Sequence, residues 1–240
     1  MFDGQFYPGQ PIQFMDGLLA PVIGAGGYKT FFSEYAVGVQ PSDWTSRFNA
    51  GFTALVQTVA GSLGGKALRW TKTVANRQLL SWDRVPLSAN TEILMRMRVI
   101  EAAASVETFL RPCVRAAGAI GTESYYVNLP TKDPGGTGWN HGLSKTVSGT
   151  VTTLGTVSFG PSPTFTINTW FWERFRVNGT SIQRRSWWDG AAEPSTWDET
   201  VTDSSVTAAG WTGIASANTN PDCECDFFSV GLNGETAPSP

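Results

Sequence analysis

Three acidic residues near the end of the chain alternate with two cysteines in the segment PDCECDF. Asp222, Glu224 and Asp226 are spaced two residues apart, and on a strand this spacing places all three on one side. Closely set carboxylates can act as acid and nucleophile in glycoside hydrolysis, whereas oxygen ligands at a strand end suit a hard cation such as Ca²⁺. Because the cluster follows an Asn-Thr-Asn-Pro loop, we prefer solvated loop carboxylates, then a structural Ca²⁺ site, and catalysis last.

Histidine and cysteine add little support for catalysis. His141 is the only histidine, and no GxSxG motif accompanies it, as a serine hydrolase of the α/β type would require. Zinc would need about four ligands at metal-like spacing, and the sequence shows none. Cys113, Cys223 and Cys225 are an odd number of thiols, which favours free cysteines over a disulfide framework. A single bridge from Cys113 is the alternative.

The clearest local pattern is the segment WFWERFRVNGTSIQRRSWWDG. Asn178-Gly179 between two β-rich runs predicts a hairpin with a type I′ turn, in which Val177 faces Thr180. This register collects aromatic and guanidinium groups on one face, namely Trp170, Trp172, Trp187, Arg174 and Arg185. Indole faces flanked by arginine donors suit sugar rings, so these five residues are candidate carbohydrate ligands. The competing interpretation is a second core layer or a subunit interface.

The elements that would position these residues are short apolar runs separated by turns. One run, EILMRMRVI, alternates strictly and predicts a strand with Ile93 and Met95 on one side and Arg96 and Arg98 on the other. Thirteen runs predict strands, and close spacing without long crossovers predicts an all-β, antiparallel β-sandwich. They are 31–38, 52–59, 66–72, 78–83, 92–100, 108–116, 123–129, 146–158, 170–178, 180–188, 198–206, 210–216 and 225–232. The segment 130–144 predicts a loop inside this domain.

Composition excludes several classes of protein. Only 15% of the 240 residues are charged and the net charge is −3, which argues against nucleic acid as a partner. No apolar stretch approaches the ~20 residues that a membrane helix needs, so we expect no membrane insertion. The start, MFDGQFYPGQ, lacks the basic and apolar regions of a signal peptide, so we expect synthesis in the cytoplasm.

Residues 1–30 are rich in glycine, proline and aromatic residues and show no helical or strand periodicity. Such a segment cannot build a core of its own, and it predicts an extended docking arm ahead of a domain at 31–240. The alternative is an N-terminal strand of the main domain.

The second half of the chain carries a set of motifs with distinctive spacing. They are Arg174-Phe175-Arg176-Val177, Trp188-Asp189-Gly190, Glu193-Pro194, Trp197, Thr202-Asp203, the Gly210-to-Gly213 strand and Asp226-Phe227-Phe228-Ser229-Val230. With them, the stretch 170–231 resembles the C-terminal half of concanavalin A-like (LamG-like) jelly-roll domains. Such domains are found in tailed-phage structural proteins and in bacterial surface carbohydrate-binding modules.

This resemblance implies two antiparallel sheets, with glycans bound on or beside a concave face. It also implies a structural Ca²⁺ between an early strand and the last one, with Asp226 and Glu34 as the matching acids. The E-x-D-x-x-E strand of the glucanases is absent from the sequence, which argues against hydrolysis.

The resemblance and the missing signal peptide together suggest a non-enzymatic phage virion protein. We expect a fibre, spike or decoration protein on the virion surface that binds host-surface carbohydrate. The arm would dock onto other virion proteins, and we expect a homo-oligomer such as a trimer. The alternatives are a capsid or tail cement protein that binds no glycan and, third, a polysaccharide hydrolase.

Overall fold

The computed structural model describes residues 27–48, 53–71, 77–101, 109–132, 139–159, 166–216 and 222–240. Within these ranges the chain forms fifteen β-strands and no helix. No helix there is long and apolar enough to cross a membrane. The strands are β1 (Tyr28–Thr30), β2 (Trp44–Ser46), β3 (Thr53–Thr58), β4 (Lys66–Thr71), β5 (Gln78–Trp82), β6 (Thr91–Val99), β7 (Arg111–Ala117), β8 (Ser124–Lys132), β9 (Trp139–Val147), β10 (Thr150–Phe159), β11 (Phe171–Asn178), β12 (Ser181–Trp188), β13 (Glu199–Thr202), β14 (Trp211–Ser216) and β15 (Cys223–Leu232).

The strands form two antiparallel sheets, which confirms the predicted all-β sandwich. Sheet A has eight strands in the order β13-β12-β11-β6-β15-β4-β3, and β1 pairs with β15. Sheet B has seven strands in the order β10-β9-β8-β7-β14-β5-β2. β15 is the central element of sheet A, because it pairs with β6 on one side and with β4 and β1 on the other.

The main core lies between the two sheets and follows the strand alternation. Ile93, Met95 and their alternate neighbours in β6 are buried in it. Arg96 and Arg98 face the other way, where they bind carboxylates, so the predicted alternation is confirmed. Aromatic rings fill the same core beside β15, including the stacked pair Trp44 and Trp82 with centroids 5.4 Å apart.

Several element predictions are wrong. The predicted strand 146–158 contains the turn between β9 and β10, and β2 was not predicted. The segment predicted as a strand at 31–38 consists of turns, and the strand that precedes it is β1 at Tyr28–Thr30. The predicted loop 130–144 instead holds the end of β8 and most of β9. Glycine, threonine and histidine in this stretch hide the strand pattern, whereas backbone pairing with β10 supplies the stabilisation.

The N-terminal arm falls largely outside the described residues, since residues 1–26 are among those not described. The end of the predicted arm, Tyr28–Thr30, pairs with β15 as part of sheet A. A docking role for residues 1–30 stays a prediction.

The β11–β12 hairpin exists, but the predicted register is wrong by two residues. Asn178 pairs with Ser181 and Val177 with Ile182, so the two turn residues are Gly179 and Thr180. Gly179 has φ +58°, and glycine at the first central position is typical of a type II′ turn. Because a slip of two residues preserves the side-chain alternation, the predicted division into two faces still holds.

Candidate functional site

The outer face of the β11–β12 hairpin brings four of the five predicted carbohydrate ligands together. Arg174 lies directly opposite Arg185, and Trp172 lies opposite Trp187. The two indoles stack with ring centroids 6.0 Å apart and an interplanar angle of 10°. Trp170 precedes β11 and packs beside Val59 at the end of the same sheet.

The tryptophans differ in their access to solvent. Trp172 is 9% exposed, its Nε1 donates to Asp189 at 2.9 Å, and Phe227 packs edge-on against its ring. Trp170 is 8% exposed, and the guanidinium groups of Arg96 and Arg98 each lie 4.5 Å from its ring centroid. Trp187 is half-buried. Of the three predicted indoles, Trp187 is therefore the one that offers a surface to a ligand.

Arg174 is enclosed in a network of carboxylates. Its Nη1 donates to Glu92 at 2.5 Å, and its Nε and Nη2 donate to Glu193 at 2.6 and 2.9 Å. Burial lowers the pKa of Arg174, but hydrogen bonds and charge from Glu193 and Glu92 outweigh this and leave the pKa raised. Its Nη1 also donates to the carbonyl oxygen of Ala237 at 3.2 Å, which ties the C-terminal segment to this face.

Arg185 is less enclosed. Its Nη2 pairs with Glu193, and its guanidinium carbon lies 4.6 Å from the centroid of the half-buried Trp197 ring. Arg185, Trp187 and Trp197 thus form the partly exposed surface above a buried layer of ion pairs. The sugar-contact assignment of the five residues stays a prediction.

Sequence reasoning missed the carboxylates that neutralise this face. Glu92 lies on β6, next to β11, and is 1% exposed, while Glu193 comes from the loop between β12 and β13. The alternation of β6 places Glu92 on the outward face, as that of β11 places Arg174 and Arg176. The sequence could therefore have indicated an ion pair between β6 and β11. Nothing local shows that the loop containing Glu193 folds over the hairpin.

Asp226 and Glu34, the predicted Ca²⁺ ligands, have other partners among the described residues. Asp226 is fully buried, its Oδ2 is bound by the guanidinium of Arg96 and accepts from the Leu63 amide at 2.8 Å, and burial raises its pKa to about 6. Glu34 is exposed and accepts from Thr30 Oγ1 at 2.6 Å. The described residues contain no group of three or more acids, histidines or cysteines placed to hold a metal. The Asp226 carboxylate is already neutralised by the Arg96 guanidinium, so these contacts do not support a Ca²⁺ ligand there. The calcium assignment stays a prediction.

The three acids of the PDCECDF segment are not the free carboxylate cluster that the sequence spacing suggested. Glu224 is fully buried, and its two oxygens accept from Arg69 at 2.6 Å and from Arg98 at 2.7 Å. The register shift between Cys225 and Phe227 makes Asp226 the bulged residue, and Asp226 and Glu224 both meet outward arginines of β6, Arg96 and Arg98. Glu224 and Asp226 therefore serve as counter-ions to the arginines of sheet A.

No family model matches the chain, and no curated protein matches it either. Among solved structures, the carbohydrate esterase of the Shiga toxin-encoding bacteriophage phi24B aligns with a TM-score of 0.55, 17% identity and coverage of 85% of this chain and 97% of the other. The VIP36 exoplasmic/lumenal domain bound to Ca²⁺ and Man3GlcNAc gives 0.53, 8% identity and coverage of 82% and 86%. The CBM2 module of the evolved Dit protein of Lactobacillus casei BL23 phage J-1 gives 0.51, 12% identity and coverage of 85% and 94%.

These likenesses are at the level of fold, and they confirm the concanavalin-like jelly roll that the motifs of the second half suggested. They also correct one prediction. The sequence led us to exclude an enzyme, yet a carbohydrate esterase has this architecture over 97% of its length. A jelly roll without the glucanase strand is therefore no ground for excluding catalysis. The fold is one that phage carbohydrate-binding, esterase and lectin proteins share.

Proposed function

We propose that this chain is a carbohydrate-binding protein of a phage virion that recognises host-surface glycan. The observation that carries the proposal is the stacked Trp172–Trp187 pair on a sandwich that resembles two phage proteins and a lectin. Stacked indoles flanked by guanidinium donors match the apolar faces and hydroxyls of a sugar ring.

The proposed division of labour follows the exposure of each side chain. Trp187 and Arg185 contact the sugar, because both keep a partly exposed surface and Arg185 lies against the Trp197 ring. Trp172 and Arg174 position them, one by stacking on Trp187 and the other through the carboxylate that it shares with Arg185. Trp170 packs against the guanidinium groups of Arg96 and Arg98 and so holds these side chains in place.

The assembly and location of the protein are part of the proposal. The protein is displayed on the virion surface as a fibre, spike or decoration protein, docked by residues 1–30 onto other virion proteins. It assembles as a homo-oligomer such as a trimer. Because the VIP36 domain was solved with Ca²⁺, the binding experiment compares glycan binding with and without a chelator.

A second candidate function is a cement or decoration protein that binds no glycan. The observation that favours it is the low exposure of Trp170 and Trp172, at 8% and 9%. In this reading Trp187 and Trp197 pack against a neighbouring subunit rather than a sugar.

A glycan array probed with the purified protein tests the proposal. We expect binding to envelope glycans of the host that Trp187→Ala weakens at least tenfold. Trp211→Ala is the matched control, because Trp211 is a half-buried tryptophan of sheet B, and it should bind as the parent does. An EDTA arm reports metal dependence, and release of acetate or reducing sugar from bound ligands reports catalysis. A folded protein that binds no glycan, and an assembly that Trp187→Ala disrupts, would favour the cement protein.

A further inference from the structure

Arg111 is a buried guanidinium group without an anionic partner among the residues that the structure describes. It lies in β7 on the face of sheet B that points away from the sandwich, and it is 8% exposed. Its Nε is enclosed with no hydrogen-bond acceptor, and within the described ranges the side chain has no ion pair. The other arginines that are buried in those ranges all bind carboxylates or backbone carbonyls, namely Arg96, Arg115, Arg174 and Arg184.

An unpaired buried charge is unfavourable, so its presence needs a reason. Desolvation by burial lowers the pKa of Arg111 to about 10, which still leaves the group protonated at neutral pH. Arg77 is near enough to disfavour the charge further, and its own partner is Glu123. Among the described residues, no negative group neutralises the charge of Arg111 on the outer face of sheet B.

The surroundings of Arg111 are apolar and aromatic. The adjacent strands place Ala215 beside Arg111 and Leu79 beyond it, and both are buried. Tyr125 belongs to the same cluster, and Phe48 stacks on it with ring centroids 5.6 Å apart.

A second polar group on this face also lacks a partner. Ser144 lies opposite Val127, which lies opposite Cys113, so the three residues form a row across β9, β8 and β7. The Ser144 Oγ is buried without a hydrogen bond among the described residues. At about 4.8 Å between strands, it stands roughly 10 Å from the strand that carries Arg111.

We propose that the outer face of sheet B holds a ligand site anchored by Arg111, which binds an oxyanion, a carboxylate or a phosphate group, carried by an organic ligand. A guanidinium group presents a planar fork that fits either group. Because Nε is enclosed, the proposed anion would bind the two terminal amines of the guanidinium group. This site lies on the sheet opposite the hairpin, and it does not depend on the proposed glycan site.

Titration calorimetry with three probes tests the site: oligogalacturonate, inorganic phosphate and a neutral galactose oligomer. We expect saturable binding of at least one anionic probe and none of the neutral oligomer. Arg111→Met should weaken that binding at least tenfold, whereas Arg69→Met, an ion-paired arginine of sheet A, should leave it unchanged. Preference for oligogalacturonate identifies an acidic saccharide, and preference for phosphate identifies a phosphorylated ligand.

The stability of the unliganded protein separates a ligand anchor from a structural arginine. Arg111→Met removes an uncompensated charge while keeping the length of the side chain, so its urea unfolding midpoint should rise above that of the parent. A lower midpoint, or anion binding by Arg111→Met as tight as that of the parent, would overturn the proposal, as would failure of both anions to bind. Trp187→Ala should bind the anion normally, so loss of the glycan site leaves this result interpretable.

Discussion

Glu92→Gln removes one negative charge from a buried carboxylate beneath the hairpin face. The Glu92 Oε1 accepts from Arg174 at 2.5 Å and from the Ala237 amide at 3.0 Å, and Oε2 accepts from Arg176. Glu92 is 1% exposed, so water cannot replace the lost partner. Glutamine keeps the shape but offers one oxygen and turns an amide donor toward the remaining donors.

The expected loss follows from the burial of this group. Breaking a buried ion pair by removing one partner costs about 3–5 kcal/mol. Because Arg174 keeps its contacts with Glu193, we expect the lower end, about 3 kcal/mol. For a chain of this size, that loss corresponds to a melting temperature lower by ~6–12 °C.

Urea unfolding followed by tryptophan fluorescence measures the effect. Asp83→Asn is the control, since Asp83 is 35% exposed and pairs with a partly exposed Arg47, and such a pair is worth about 0–1 kcal/mol. A loss below 1 kcal/mol for Glu92→Gln, or an equal loss for Asp83→Asn, would refute the argument that the buried layer stabilises this face.

Two further predictions concern buried groups elsewhere in the sandwich. Burial raises the pKa of Asp226 to about 6 in the folded protein, so this carboxyl ionises at lower pH in the unfolded chain. As pH rises from about 4 to 6, the free energy of unfolding should therefore fall by up to roughly 3 kcal/mol. Urea titrations at several pH values should show this fall in the parent and a flatter profile in Asp226→Asn; a steeper fall in the variant would contradict it. Gly155→Ala places a Cβ 1.8 Å from Oε1 of Glu199, the partner of buried Arg184, and should cost about 1–3 kcal/mol in urea unfolding. Thr153→Ala, at an exposed position of the same strand, should change the midpoint little, and equal midpoints for the two variants would show that the contact relaxes freely.

Much of the fold could be predicted from the sequence because local patterns determine it. The alternation of β6 sets which side chains enter the core, and the Asn-Gly region marks the hairpin between β11 and β12. The turn itself was misplaced because Gly179 can occupy the positive-φ site of either turn type. β9 was missed because its Gly- and Thr-containing sequence is stabilised by pairing with β8 and β10 rather than by its own propensity.

The candidate site was only partly predictable, since its chemistry depends on long-range contacts. Alternation places Trp172 and Arg174 outward, but it cannot show that Glu193 and the C-terminal Ala237 cover them. The bulge at Asp226 likewise has no local sequence signal, and the arginines that neutralise Glu224 and Asp226 come from β4 and β6, far away in the sequence.

The measurement that tests the central claim most directly is an equilibrium titration of the purified protein with envelope polysaccharide of the host. The account predicts saturable binding that Trp187→Ala weakens at least tenfold while its unfolding midpoint stays near that of the parent. Binding that is unchanged in Trp187→Ala, or no binding by the folded parent protein, would contradict it.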